Sequence, residues 1–271
     1  MKPDWENRKF GIRLFRGDGF KIVPRLEGIQ AIVADPPYGI GYVHGKEKNG
    51  PLRRNNAAAP TIFAKVKVVG DDKPFDPSPW LGYERVVLWG ANNYIDKLPF
   101  PGGWLVWDKR EGRGMNDQSD CEMAWVNKEK MACRLFHHMW NGMCRASEKG
   151  VPRVHPTQKP IALMEWAMKL VQLEAGTVVC DPYMGSGTTG VACVRMGLPF
   201  VGVEIEQDYF DIAVRRIRAA IASANEGFAA HHALLKRVVS CKIDSGFSDG
   251  GFHQHRRLRT AHLGKRQRRT K

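Results

Sequence analysis

Residues 177–221 leave little freedom in the choice of fold. They read as an apolar run (177–180), a glycine-rich turn, helical periodicity (188–196), a second apolar run (200–203), an acid, and an amphipathic helix. In that last helix Phe210, Ala213, Val214, Ile217 and Ile221 form the inner stripe, and Arg215, Arg216 and Arg218 fall on the outer face. Strand, turn, helix and strand in this order predict a nucleotide-binding α/β half-fold, with the ligand at the carboxyl ends of the strands. The turn is Asp181-Pro182-Tyr183-Met184-Gly185-Ser186-Gly187-Thr188-Thr189-Gly190. Its glycines let the backbone wrap a ligand closely, and the helix that follows offers amide donors to a carboxylate. Glu204, at the end of the second strand, is placed to accept hydrogen bonds from ribose hydroxyls. Gly185, Gly187 and Gly190, with an acid about twenty residues on, also satisfy the dinucleotide fingerprint, so a hydride-transferring enzyme stands as an alternative. It is not a P-loop, because no lysine follows the glycines.

The first half continues the same pattern. Strands are predicted over 12–15, 29–34, 85–89 and 104–107, with a weaker, more polar pair over 121–126 and 131–136. Pro160 suits the first turn of a helix over 161–171. Directly after the buried run at 32–34 stands Asp35-Pro36-Pro37-Tyr38. Two prolines in a row stop a strand, and that is the plain structural account of them. A chemical account also fits. An exocyclic base amine is a poor nucleophile because its lone pair is delocalised into the ring. A carboxylate (Asp35) and a rigidly held carbonyl (Pro36) that accept its two protons free that lone pair. Pro36 and Pro37 fix the backbone, and Tyr38 offers an extruded base a stacking surface.

Charge is informative about the partner. Lys and Arg number 42 against 28 acids, a formal net charge of +14, which favours a polyanion. Half of that excess lies in 239–271, where nine basic residues meet Asp244 and Asp249 alone, so this segment reads as a disordered basic tail on a 1–238 domain. Residues 40–79 form a second unpatterned, basic stretch (Lys46, Lys48, Arg53, Arg54, Lys65, Lys67). Cys121, Cys133, Cys144, Cys180, Cys193 and Cys241 include no Cys-x-x-Cys pair. Zinc on Cys121, Cys133, His137, His138 and Cys144 is therefore the lesser reading, and buried free thiols in a reducing compartment the greater. No apolar run approaches the ~18 residues of a membrane span, and the first residues lack a secretory stretch, so a cytoplasmic chain is expected.

The two motifs, their order, and the linking His155-Pro156-Thr157-Gln158-Lys159-Pro160 together resemble the DNA amino-methyltransferases, which methylate adenine at N6 or cytosine at N4. The resemblance runs over about residues 12–221. It implies a Rossmann-like, largely parallel seven-stranded sheet with helices on both faces, in which the strands bearing Asp35 and Asp181 are neighbours. It implies S-adenosylmethionine as cofactor, no metal, double-stranded DNA as partner, and direct in-line methyl transfer after base flipping. The site it implies joins Asp35, Pro36, Pro37 and Tyr38 (catalytic) to Asp181, Pro182, Tyr183, Gly185, Ser186, Gly187, Thr188 and Glu204 (cofactor), with Lys159 reaching the cofactor's carboxylate. Trp89-Gly90-Ala91-Asn92-Asn93 and Trp107-Asp108-Lys109-Arg110 line the base pocket or are ordinary core. Target recognition falls to 111–154, which is short. Adenine is favoured, because family members acting on cytosine N4 more often carry Ser at the Asp35 position. N4-cytosine stays the alternative, and a homodimer and a restriction-enzyme partner stay open.

The basic tail gives the first test. Truncation after Ser240 should leave the methylated sequence and the limiting rate unchanged. It should weaken DNA binding and flatten the plot of log affinity against log salt by roughly 0.9 for each phosphate that the tail neutralises. Parallel salt plots for the full-length and truncated chains would show that the tail does not touch DNA.

Overall fold

The computed structural model describes residues 1–41, 68–112, 119–128, 131–141 and 144–244. Most of the basic 40–79 stretch, parts of 111–154 and the tail beyond 244 lie outside the described residues. The chain divides into two compact units, Met1–Gly227 and Phe228–Lys271, a boundary upstream of the expected 238.

In chain order the elements are β1 (Trp5–Asn7), β2 (Ile12–Arg16), α1 (Gly19–Ile22), β3 (Ala31–Ala34), β4 (Arg85–Trp89), β5 (Gly103–Asp108), β6 (Cys121–Val126), β7 (Arg134–His137), β8 (Trp140–Asn141) and β9 (Cys144–Arg145). The second half adds α2 (Ile161–Leu170), β10 (Val179–Asp181), α3 (Thr188–Met196), β11 (Phe200–Glu204) and α4 (Gln207–Asp244). One mixed sheet has the order β1-β2-β11-β10-β3-β4-β6-β5-β7, and β8 and β9 pair separately. From β2 to β4 every pairing is parallel. β6 runs antiparallel between β4 and β5, β7 lies parallel to β5, and β1 is antiparallel at the far edge.

The expected fold class holds, with two corrections. Among the described residues the sheet has nine strands rather than seven. β6 and β7 are not a pair, because β5 lies between them. Alternation alone could not rank these strands; the burial of Ala124, Trp125 and Val126 makes β6 an interior strand.

Two apolar layers cover the sheet. On one face Ile12, Val33, Val87 and Val179 meet Leu163, Met164 and Met168 of α2, Val191 and Ala192 of α3, and Ala213 and Ile217 of α4. On the other, Phe15, Ile32, Leu88, Cys180 and Val201 meet Val23, Phe75, Trp80 and Tyr94. β3, β10 and β11 are buried throughout, as strands covered on both faces must be. Trp89 and Trp107 belong to this core. Cys180 and Cys193 are buried, but Cys121, Cys133 and Cys144 are exposed, which corrects the expectation of buried thiols. No described helix is long and apolar enough to cross a membrane.

Candidate active site

β3 and β10 lie side by side, Ala31 opposite Val179 and Ile32 opposite Cys180. Their carboxyl ends lead into the two motifs, which brings Asp35 and Asp181 to the same end of the sheet. Asp181 feels the charges of both Asp35 and Glu204.

On the Asp35 side the polar groups form a closed ring. The Tyr38 hydroxyl donates to Asp35 Oδ1 at 2.5 Å. Lys159 Nζ lies 2.7 Å from Asp35 Oδ2 and donates to the Tyr38 oxygen at 3.0 Å. Glu122 Oε2 lies 2.8 Å from the ammonium as an ion pair outside hydrogen-bonding geometry, and Glu122 Oε1 accepts from Lys109 Nζ at 2.9 Å. The Lys159 side chain is 4% exposed and that of Asp35 15%. Burial pushes the Asp35 carboxyl up, against the pull of Lys159. Burial and the Asp35 charge push the Tyr38 hydroxyl well above its ordinary range, so it remains a donor. The Tyr38 ring occupies space that only Gly90 leaves: a Cβ there would lie 1.9 Å from the ring, and Gly90 has φ +70°.

Lys159 reaches Asp35 because the hexapeptide is pinned. Gln158 Oε1 accepts from the Val154 amide at 3.1 Å, and the Gln158 carbonyl accepts from the Trp140 indole at 3.0 Å. Pro160 is the N-cap of α2 rather than a first-turn residue, in an extended conformation. Lys159, expected at the cofactor's carboxylate, thus stands in this structure against the catalytic motif.

On the cofactor side, Asp181 Oδ1 accepts from the Tyr183 amide at 3.0 Å and Oδ2 from the Thr189 hydroxyl at 2.6 Å. Glu204 Oε2 accepts from the Gly185 amide and Oε1 from the Glu206 amide, both at 2.8 Å. Each Glu204 oxygen keeps a lone pair for a ligand hydroxyl. Gly185 (φ +49°) and Gly187 (φ +79°) carry the turn into α3. Pro182 packs on Gly19, where a Cβ would meet its carbonyl oxygen at 2.5 Å. The Tyr183 hydroxyl accepts from the Trp80 indole at 3.1 Å, and its ring meets Phe20, Phe75 and Trp80 edge-on. Ser186 and Thr188 are gripped by Arg216, whose Nη1 donates to the Ser186 carbonyl (2.7 Å), Ser186 Oγ (2.8 Å) and Thr188 Oγ1 (3.2 Å). Arg216 therefore turns inward, which corrects its expected place on the outer face of α4.

Burial raises Asp181 to about 7 and moves Glu204 upward as well. Both carboxylates take neutral donors, amides and a hydroxyl. Such a pair suits a ligand that brings a cation together with hydroxyl and ammonium donors, and S-adenosylmethionine is of that kind. His155, packed on Tyr209 at 4.2 Å between ring centroids, is held neutral: burial, helped by Arg153, Lys159 and Arg216, takes it down to about 3. Among the described residues no group of three His, Cys, Asp or Glu side chains is gathered to hold a metal ion.

Sequence reading placed Lys109 at the base pocket or in the core but missed Glu122, the partner that ties it to Lys159. Nothing in its local sequence marks Glu122; β6 brings it to the site by entering the sheet antiparallel, with its start at the carboxyl edge opposite Trp107.

Comparison with known proteins finds relatives of one family. A family model described as DNA methylase, of the N6/N4 type, matches residues 92–215. Type II methyltransferase M2.LlaDCHI of Lactococcus lactis subsp. cremoris is 39% identical over 259 residues, 80% of this chain and 92% of that protein. Type II methyltransferase M2.DpnII of Streptococcus pneumoniae is 38% identical over 92 residues, 34% of each chain, so that alignment spans about a third of the relative. Among solved structures, PvuII DNA methyltransferase (cytosine-N4-specific) is 13% identical, with 80% of this chain and 93% of that one covered and a TM-score of 0.49. The M1.HpyAVI–SAM complex is 21% identical, with 76% and 98% covered and a TM-score of 0.47.

Asp181 supplies a pH test. Its folded pKa of about 7 lies above the ordinary carboxylate value of 3.8. Its contribution to stability is therefore complete below the unfolded value and is lost as pH rises through about 7. Asp181→Asn does not titrate, so between about pH 5 and about pH 8 its stability should gain on the parent's by on the order of 2 kcal/mol. Urea unfolding at the two pH values measures this, and a constant difference would show that Asp181 does not titrate in that range.

Proposed function

Because the chain belongs to the N6/N4 DNA methylase family of S-adenosylmethionine-dependent DNA methyltransferases, we propose that it methylates N6 of adenine in double-stranded DNA. The observation that carries this reading is the pairing of β3 with β10, which brings Asp35 and Asp181 to one end of the sheet and within reach of each other's charge. The cofactor, when bound, supplies a methyl group activated by its sulfonium.

The chain's own residues do the rest. Asp181, Glu204 and the turn at Gly185 to Thr188 hold the cofactor's polar groups. Glu204 is already oriented by two amides, so a ribose meets a fixed acceptor. The target base flips out of the duplex toward Asp35. Its amine takes over at Oδ1 from the Tyr38 hydroxyl, and the released ring is free to stack on the base. The second amine N–H donates a hydrogen bond to the Pro36 carbonyl, and the proton lost as the N–CH3 bond forms leaves the nitrogen by way of Asp35. Transfer is direct and in line, with no covalent enzyme intermediate, and the rate derives from positioning and fixed charges. Asp rather than Ser at position 35 supports adenine over cytosine. The basic stretches 40–79 and 239–271 suit a phosphate backbone, and a Type II restriction enzyme is a fitting partner for a chain with such relatives.

Nucleoside mass spectrometry of plasmid DNA modified by the protein should show N6-methyladenine. N4-methylcytosine as the sole product would overturn the assignment of the base. Asp35→Ala should abolish tritiated-methyl transfer and leave S-adenosylmethionine affinity by calorimetry nearly intact; substantial residual turnover would remove Asp35 from the chemistry.

A further inference from the structure

Glu122 and Lys109 have no part in the chemistry described so far, yet they complete the charge set around Asp35. Three oxygens surround the Lys159 ammonium: Asp35 Oδ2 at 2.7 Å and Glu122 Oε2 at 2.8 Å as ion pairs, the latter outside hydrogen-bonding geometry, and the Tyr38 oxygen, which accepts a hydrogen bond at 3.0 Å. The two carboxylate contacts are nearly equal, so the ammonium is shared between them. Lys109, 2.9 Å from the far oxygen of Glu122, brings the set to two carboxylates and two ammonium groups. We propose that Glu122, backed by Lys109, is a positioning residue for methyl transfer: it holds Lys159 between two carboxylates and so sets how strongly Asp35 draws on the target amine. The inference rests on the reading of Asp35 as the amine's proton acceptor.

With Lys159 paired to Asp35 alone, the whole ammonium charge would fall on the carboxylate that must engage the amine, and it would stand as an excess positive charge beside a cationic cofactor. Glu122 divides that attraction, and Lys109 keeps the buried set neutral, which such a group requires. The groups that act on Asp35 are Lys159, Glu122 and Tyr38 around it, with Tyr94 and Asp181 in its field. Their directions agree. Burial raises Asp35; Lys159 opposes this and Glu122 adds to it. Burial alone would lower Lys159, but Asp35 and then Glu122 lift it above its ordinary value. Burial would raise Glu122, but Lys159 and Lys109 override it and hold it at about 2, ionised under all working conditions.

The test is the dependence of kcat/KM on pH, which reports groups of the free enzyme. Glu122→Gln keeps the size and an acceptor oxygen but removes the charge. Asp35 and Lys159 both lose a negative neighbour, so both limbs of the profile should move to lower pH together. Glu122→Asp keeps the charge and should leave the limbs in place. Lys109→Gln, useful if the Glu122 variants do not fold, removes a positive charge and should move the limbs to higher pH. A uniform loss of rate with unmoved limbs in both Gln variants would overturn the proposal, since damaged packing lowers activity without shifting a titration. Asp35→Asn separates the two levels. Full activity in that variant overturns the reading of Asp35 itself. Its inactivity, with unmoved limbs in Glu122→Gln and Lys109→Gln, overturns only the role of Glu122.

Discussion

The hydrogen bonds between β3 and β10 are the contacts on which the rest of the molecule depends. Gln30 donates its amide to the Val178 carbonyl at 3.1 Å, and its side-chain oxygen accepts from the Val178 amide at 3.0 Å, across 148 residues of sequence. The strands that follow are buried on both faces, so a slip of one residue would exchange the side chains packed in the two layers and spoil both. This register is well fixed, and it opens both motifs onto the same edge.

A second constraint follows from placing an ammonium group at that edge. Lys159 is almost fully buried, and a buried charge is tolerated only when it is paired and hydrogen-bonded. Its partners come from three places: Asp35 and Tyr38 after β3, Glu122 on β6, and, through Glu122, Lys109 after β5. The hexapeptide that delivers Lys159 is itself held by Gln158 on Val154 and Trp140. Catalytic motif, inserted strand and α2 are thereby locked to one another by a single side chain.

The cofactor turn is braced in a comparable way from its other side. Arg216 of α4 donates to Ser186 and Thr188, and its second terminal nitrogen lies 3.7 Å from Glu148 Oε1. Glu148 Oε2 in turn accepts from the Ile161 amide at the start of α2 at 3.0 Å. The loop around Glu148 is thus tied to the turn at Ser186 and Thr188.

Much of this was legible in the sequence, for reasons that are local. The strands at 85–89 and 121–126 and the helix at 188–196 follow from apolar runs and periodicity, and the ends of β10 and β11 from the residues that stop them. The Asp35 and Asp181 motifs are contiguous, so their chemistry could be read without a fold. What stayed hidden is non-local. Arg216 looks like one more basic residue on a solvated helix face until the turn at Ser186 folds beneath it. Lys109 could be placed near the pocket from the strand it follows, but Glu122, its partner, carries no local signal. The order β4-β6-β5 depends on which strand best fills the space between two others, a property of packed side chains and not of any one segment. The sequence alone determined the elements and the chemistry of each motif; the tertiary structure decided which charges meet, because pairing of buried charges is settled only when strands distant in the chain come into register.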